Sequence, residues 1–186
     1  MQNISLNRIV LSLVPLFSFL YTSIYYVIQG ESFQIFWLCN ILNLVLFVAL
    51  FFNLLAHIWS STILLLIGMP LWLYEDVIVN QVFRWNAFFV HVVAAIVGLM
   101  VMRTNLYPKY VKTISVFWLV IGILLARIFT DFSHNVNLAY FVYPTLVKVF
   151  PSFLIYSLFN FISFFIGIWA LDKLLKNKMA SVTKTE

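Results

Sequence analysis

Cys39 and His91 are the two residues of this chain whose types could carry a covalent reaction together. A thiol becomes a nucleophile when a base within hydrogen-bond reach takes its proton, and a third group must orient that base. His91 supplies the base, and Asp76 or Asp131 the carboxylate. These types suit acyl transfer, in which a thiolate attacks an ester carbonyl. Around them stand side chains that could hold a polar substrate: Asn40, Glu75, Arg127, Thr130, Asn135, Asn137 and Asn160. Several of these lie in one run, RIFTDFSHNVN, from Arg127 to Asn137. Each residue also has a structural reading. Arg127 and Asp131 are one helical turn apart and can pair. Asn40, Asn43, Asn160 and His91 can hydrogen-bond between membrane helices. Glu75 and Asp76 can anchor a helix end, Cys39 can serve as a small buried hydrophobe, and His134 and Asn135 can close a turn.

Other chemistries find no support. His91, His134, Glu75, Asp76 and Asp131 include no HxxxH or similar ligand pair, so no metal site is expected. There is no phosphate loop, dinucleotide fingerprint or GxSxG elbow, and no cofactor is expected. A single cysteine excludes an internal disulfide, CxxC redox chemistry and a thiolate cage. The net charge of +5 comes with no basic stripe or stacking platform, which argues against a nucleic-acid partner.

The elements that must position these groups follow from composition. Hydrophobic residues make up 64% of the 186 and charged residues 9%. Soluble domains carry about 25% charged residues, so this chain needs lipid as its solvent, and membrane lipids are its first partners. A crossing helix takes about 20 apolar residues, and six candidates occur: Ile9–Ile28, Ile35–Leu55, Trp59–Val79, Asn86–Met102, Ile114–Thr130 and Ser152–Leu174. Pro15 and Pro70 should kink the first and third. The expected fold class is therefore all-α: a polytopic protein of six transmembrane helices, one domain over residues 1–175. Residues 131–151 would form an interfacial cap before the last helix, and 176–186 a short tail.

Six crossings put both termini on one side. That side holds Arg8, Arg103, Lys109, Lys112, Lys173, Lys176, Lys178 and Lys184; the other holds only Arg84, Arg127 and Lys148. The positive-inside rule then makes the termini cytoplasmic. In this topology Cys39, Asn40, Asn43, Glu75, Asp76, His91, Arg127, Thr130, Asp131 and Asn160 all fall in the outer third of the membrane. Intramembrane polar groups usually mark a site, so an outer-leaflet polar pocket is expected.

FWLCNI (Phe36–Ile41), PLWLYED (Pro70–Asp76), His91 and RIFTDFSHNVNLAYFVYP (Arg127–Pro144) together resemble a family of uncharacterised bacterial six-helix membrane proteins. That family usually carries Ser-Asp where this chain has Cys39-Asn40. His91, Arg103, Tyr107, Pro108, Val142, Tyr143 and Pro144 are similar to a pattern in androgen-induced hydrolases of fatty-acid esters. Their nucleophile is a second-helix Thr, and the corresponding stretch here, Phe36 to Asn40, has none. Leu38, Cys39, Asn40 and Ile41 resemble the Leu-Cys-[Asp/Asn]-Ile element of intramembrane phospholipid acyltransferases, which also use a later histidine. These resemblances imply a lipid-acting acyl hydrolase or acyltransferase of the plasma membrane with a lipid-like substrate. Cys39 would be the nucleophile, His91 the base, and Arg127 a contact for an anionic head group. The competing expectations are a small transporter or solute-binding membrane subunit, and a non-catalytic structural subunit of a membrane complex.

Overall fold

A computed structural model describes residues 6–103, 105, 107–134, 136–138, 142, 149–150 and 152–182. Among the described residues the chain is helical, with no strand. The helices are α1 (Leu6–Ile28), α2 (Leu38–Phe52), α3 (Leu55–Trp72), α4 (Trp85–Phe88), α5 (Ala94–Met102), α6 (Val111–Phe129) and α7 (Phe153–Val182). Two wider, π-helical stretches interrupt the α pattern. One, Leu73–Val79, prolongs α3, and the other, Phe89–Val93, joins α4 to α5.

Among the described residues, five continuous rods are long and apolar enough to cross a membrane: Asn7–Ile28, Leu55–Val79, Trp85–Met102, Val111–Phe129 and Phe153–Lys176. The expected second crossing, Ile35–Leu55, is shorter at both ends, because α2 has only 15 residues. At its start, Ser32–Phe36 winds as a 3-10 helix and Trp37 takes an extended ψ of 136°. At its end, Asn53 adopts a left-handed φ of 59°, and its N–H turns back to the Ala49 and Leu50 carbonyls. Asn tolerates that conformation, which closes helices. Only Asn53 and Leu54 link α2 to α3, so the third rod starts at Leu55 rather than Trp59. α7 also runs past Leu174 to Val182, so the first part of the expected tail is helical. The expected cap at 131–151 is described in part, as short 3-10 turns at Phe132–His134 and Val136–Leu138.

α3 is the central element, packing against α2, α5, α6 and α7. Ile58, Trp59, Ile63 and Leu65 form the core with Leu42, Leu46 and Leu50 of α2 and Ala94, Ala95 and Met102 of α5. The backbones approach closely at Gly98, where an added Cβ would overlap Thr62 Oγ1. Small residues permit such contact between membrane helices. α1 turns Val10, Leu13, Phe17 and Ile24 outward, and α7 turns out Leu154, Leu158, Phe165 and Ile166. Apolar faces this extensive suit lipid rather than water.

Candidate functional site

α1, α2, the end of α3 and the start of α4 converge at one end of the bundle, where the buried Asn40, Asn43, Asp76, Asn86 and His91 lie. Asn43 shows how the elements are tied. Its Nδ2 donates to the Cys39 carbonyl one turn back at 2.8 Å and to the Val90 carbonyl at 3.1 Å. One amide thus joins the first turn of α2 to the π-helical turn that carries His91. Cys39 is half-buried beside it. Asn40, almost fully buried, donates to the Gln34 carbonyl at 2.7 Å and holds the preceding 3-10 turn against α2.

His91 is buried with its ring stacked on Trp72, centroids 5.7 Å apart and planes 8° apart. Gly68 makes room for it, since an added Cβ there would stand 3.3 Å from His91 Cε1 and 3.5 Å from Nδ1. Nδ1 has no hydrogen-bond partner among the described residues. Trp72 Nε1 donates to Asp76 Oδ2 at 2.7 Å, and Arg84 Nε lies 3.7 Å from Asp76 Oδ1. Asp76 therefore reaches the imidazole through the Trp72 indole. Its own side chain is 8% exposed while that of Arg84 is 42% exposed, so the pair spans the boundary between core and surface. Tyr26, near the end of α1, is buried and lies within electrostatic reach of Cys39, Asp76, Arg84 and Asn86. Both π-helical stretches carry a candidate residue, Asp76 in one and His91 in the other. Such wide turns recur at functional sites because they re-aim side chains out of the 3.6-residue pattern.

The remaining expected residues are placed differently. Asn137 serves the backbone. Its Oδ1 accepts from the Leu38 N–H at 2.6 Å, and its Nδ2 donates to the Phe36 and Gly122 carbonyls at 2.9 and 2.8 Å. It caps α2 from a distant part of the chain and fastens it to α6. Thr130 donates to the Ala126 carbonyl at 2.6 Å, and Arg127 and Asp131 are exposed at the end of α6. Asn160 lies on α7, and its Nδ2 meets no partner among the described residues. The side chain of Glu75 and all of Asn135 lie outside the described residues. Cys39, Asn40, Asp76 and His91 are thus brought to one neighbourhood, which Arg127, Asp131 and Asn137 flank from the α6 side.

Sequence reasoning missed the parts played by Tyr26, Gly68, Trp72, Arg84 and Asn86. One signal was available: Trp72 and Asp76 are spaced i, i+4, which places a donor and an acceptor on one helical face. Among the described residues, no group of three or more His, Cys, Asp or Glu side chains could hold a metal ion. No protein-family profile, curated protein or solved structure matches the chain.

Proposed function

We propose that this chain crosses a bacterial-type plasma membrane six times with both termini cytoplasmic, and that it acts on a membrane lipid by acyl transfer at the outer polar cluster. Residues 131–151 cap the outer end. The carrying observation is the Asn43 bridge, which seats the Cys39 turn of α2 against the turn that presents the His91 imidazole. Cys39 Sγ attacks the ester carbonyl as its proton passes to His91. A carbon–sulfur bond forms, the ester carbon–oxygen bond breaks, and His91 returns the proton to the departing alcohol. Water, or a second lipid alcohol, then attacks the thioester and restores the thiol, giving a hydrolase or a transferase. Trp72 and Asp76 hold the imidazole face, and Arg84 and Arg127 meet an anionic head group. The resemblance of Leu38–Ile41 to the acyltransferase element points the same way.

Cys39 is the only cysteine, so labelling by a thiol-directed acyl electrophile reads one site. His91→Ala should slow that labelling by about a hundredfold, the lower range for loss of a general base. Equal rates in the two proteins would dismiss acyl-enzyme chemistry. A second reading is favoured by the Asp76–Arg84 pair with Trp72 beside it, which could hold a zwitterionic solute without reacting. Unchanged labelling together with saturable binding of a solute lost in Arg84→Gln would support it.

A further inference from the structure

The opposite, lysine-rich end of the bundle holds a feature that the acyl-transfer reading leaves unused. Between the start of α6 and the last part of the α7 crossing lies an open groove of about 530 Å³. Its lining includes Lys109, Lys112 and Lys176 with Tyr107 and Asp172. Val111, Lys112 and Thr113 form the first turn of α6, whose N-cap Tyr110 contributes no side-chain capping bond. Uncapped first-turn N–H groups and the helix dipole favour a negative charge there. Lys176 is held in position, its Nζ 5.5 Å over the Tyr107 ring, and Tyr107 stands edge-on to the fully buried Trp59 at 5.0 Å.

Two observations narrow the ligand from an anion to an amphiphile. A second groove of about 280 Å³ shares Lys112 and Thr113 with the first and follows the same α6–α7 seam into the apolar part of the bundle. Its other walls are Val116, Phe165, Ile168 and Trp169, which offer carbon to an acyl chain. Asp172 lines the polar groove almost fully buried; Oδ2 is 3.6 Å from Lys112 Nζ, and Oδ1 has no hydrogen-bond partner among the described residues. A carboxylate oxygen that lacks a donor costs free energy when buried. A head group that carries a hydroxyl beside its phosphate would supply that donor.

We propose that the α6–α7 seam is a binding site for a phosphoglycerolipid with an anionic, hydroxyl-bearing head group. The phosphate sits among Lys109, Lys112, Lys176 and the first turn of α6, a head-group hydroxyl donates to Asp172, and one acyl chain lies along Val116, Phe165 and Ile168. A free phosphate compound would use only the polar half of this seam.

The full chain in detergent, delipidated and then titrated, tests the assignment by native mass spectrometry. Phosphatidylglycerol should be retained in preference to phosphatidylcholine, which has a phosphate but no donor. Lys112→Gln with Lys176→Gln should weaken retention by about tenfold or more, as expected for two lysines near a lipid phosphate. These side chains reach solvent, and unchanged helix content by circular dichroism verifies the fold. Arg103→Gln removes a positive charge from an exposed side chain at the end of α5, which lines neither groove, and should leave retention unchanged. Equal retention of both lipids, or equal loss in Arg103→Gln, would overturn the site. Binding of soluble glycerol phosphate as tight as that of the lipid would overturn the lipid assignment and leave a solute phosphate site.

Discussion

Asn137 shows how much one side chain decides in a lipid-facing bundle. It answers three backbone groups on three elements: the Phe36 carbonyl at the end of the 3-10 turn, the Leu38 N–H at the start of α2 and the Gly122 carbonyl of α6. These bonds are part-buried at a helix junction, so each lost partner leaves a backbone group poorly satisfied. Asn137→Ala should therefore destabilise the protein by about 3 kcal/mol, seen as a lower melting temperature in detergent, and should loosen the start of α2. An unchanged melting temperature would show that the clamp contributes nothing. Its residue type marked it as polar and notable in the sequence, but not which way its amide faced. An asparagine that binds substrate and one that caps a helix from ninety-nine residues away are identical in a one-dimensional chain. Cys39, Asp76 and His91 were legible by type alone, since thiol, carboxylate and imidazole are rare in so apolar a chain. Gly68 was not, because its part is the absence of a Cβ beside an imidazole on another helix.

The elements were legible where hydrophobic length alone defines them. Five of the expected crossings correspond to the five long rods, with edges differing by a few residues. The α2 boundaries were less so, because apolar composition continues through Phe36, Trp37, Leu54 and Leu55 while the backbone turns at Trp37 and Asn53. The π-helical widening after Pro70 and around His91 also left no clear mark in the pattern, although Pro70 removes a helix donor and signals disruption nearby. Packing between α3 and α5 gives a test at this scale. Gly98→Ala would push a methyl group into Thr62 and should cost about 1–3 kcal/mol, the range for overpacking. Thr62→Ala in the same chain removes Oγ1 and Cγ2 and should recover part of that loss in a detergent melting series. Full additivity of the two substitutions would mean that the helices do not meet there as described.

At the scale of the whole molecule, the bundle has two chemically distinct ends: a cluster centred on His91, Trp72, Asp76 and Arg84, and a lysine groove between α6 and α7. The proposed topology puts the first outside and the second in the cytoplasm. Single cysteines introduced at Ser133 and Ser181, in a chain with Cys39 replaced, should be modified by an impermeant reagent from the outside and from the cytoplasm respectively. The reverse pattern would invert the membrane and move both sites to the opposite leaflets. The sequence by itself determined the solvent, the helical class and the distribution of charge, because each follows from composition and length summed along the chain. Only the tertiary structure decided which polar residues share a neighbourhood. Asn43 joins two helices, Trp72 stands between Asp76 and His91, and Asn137 is spent on the backbone. These are relations between residues distant in the chain, fixed by helix packing and by backbone groups that must find partners where no water reaches them.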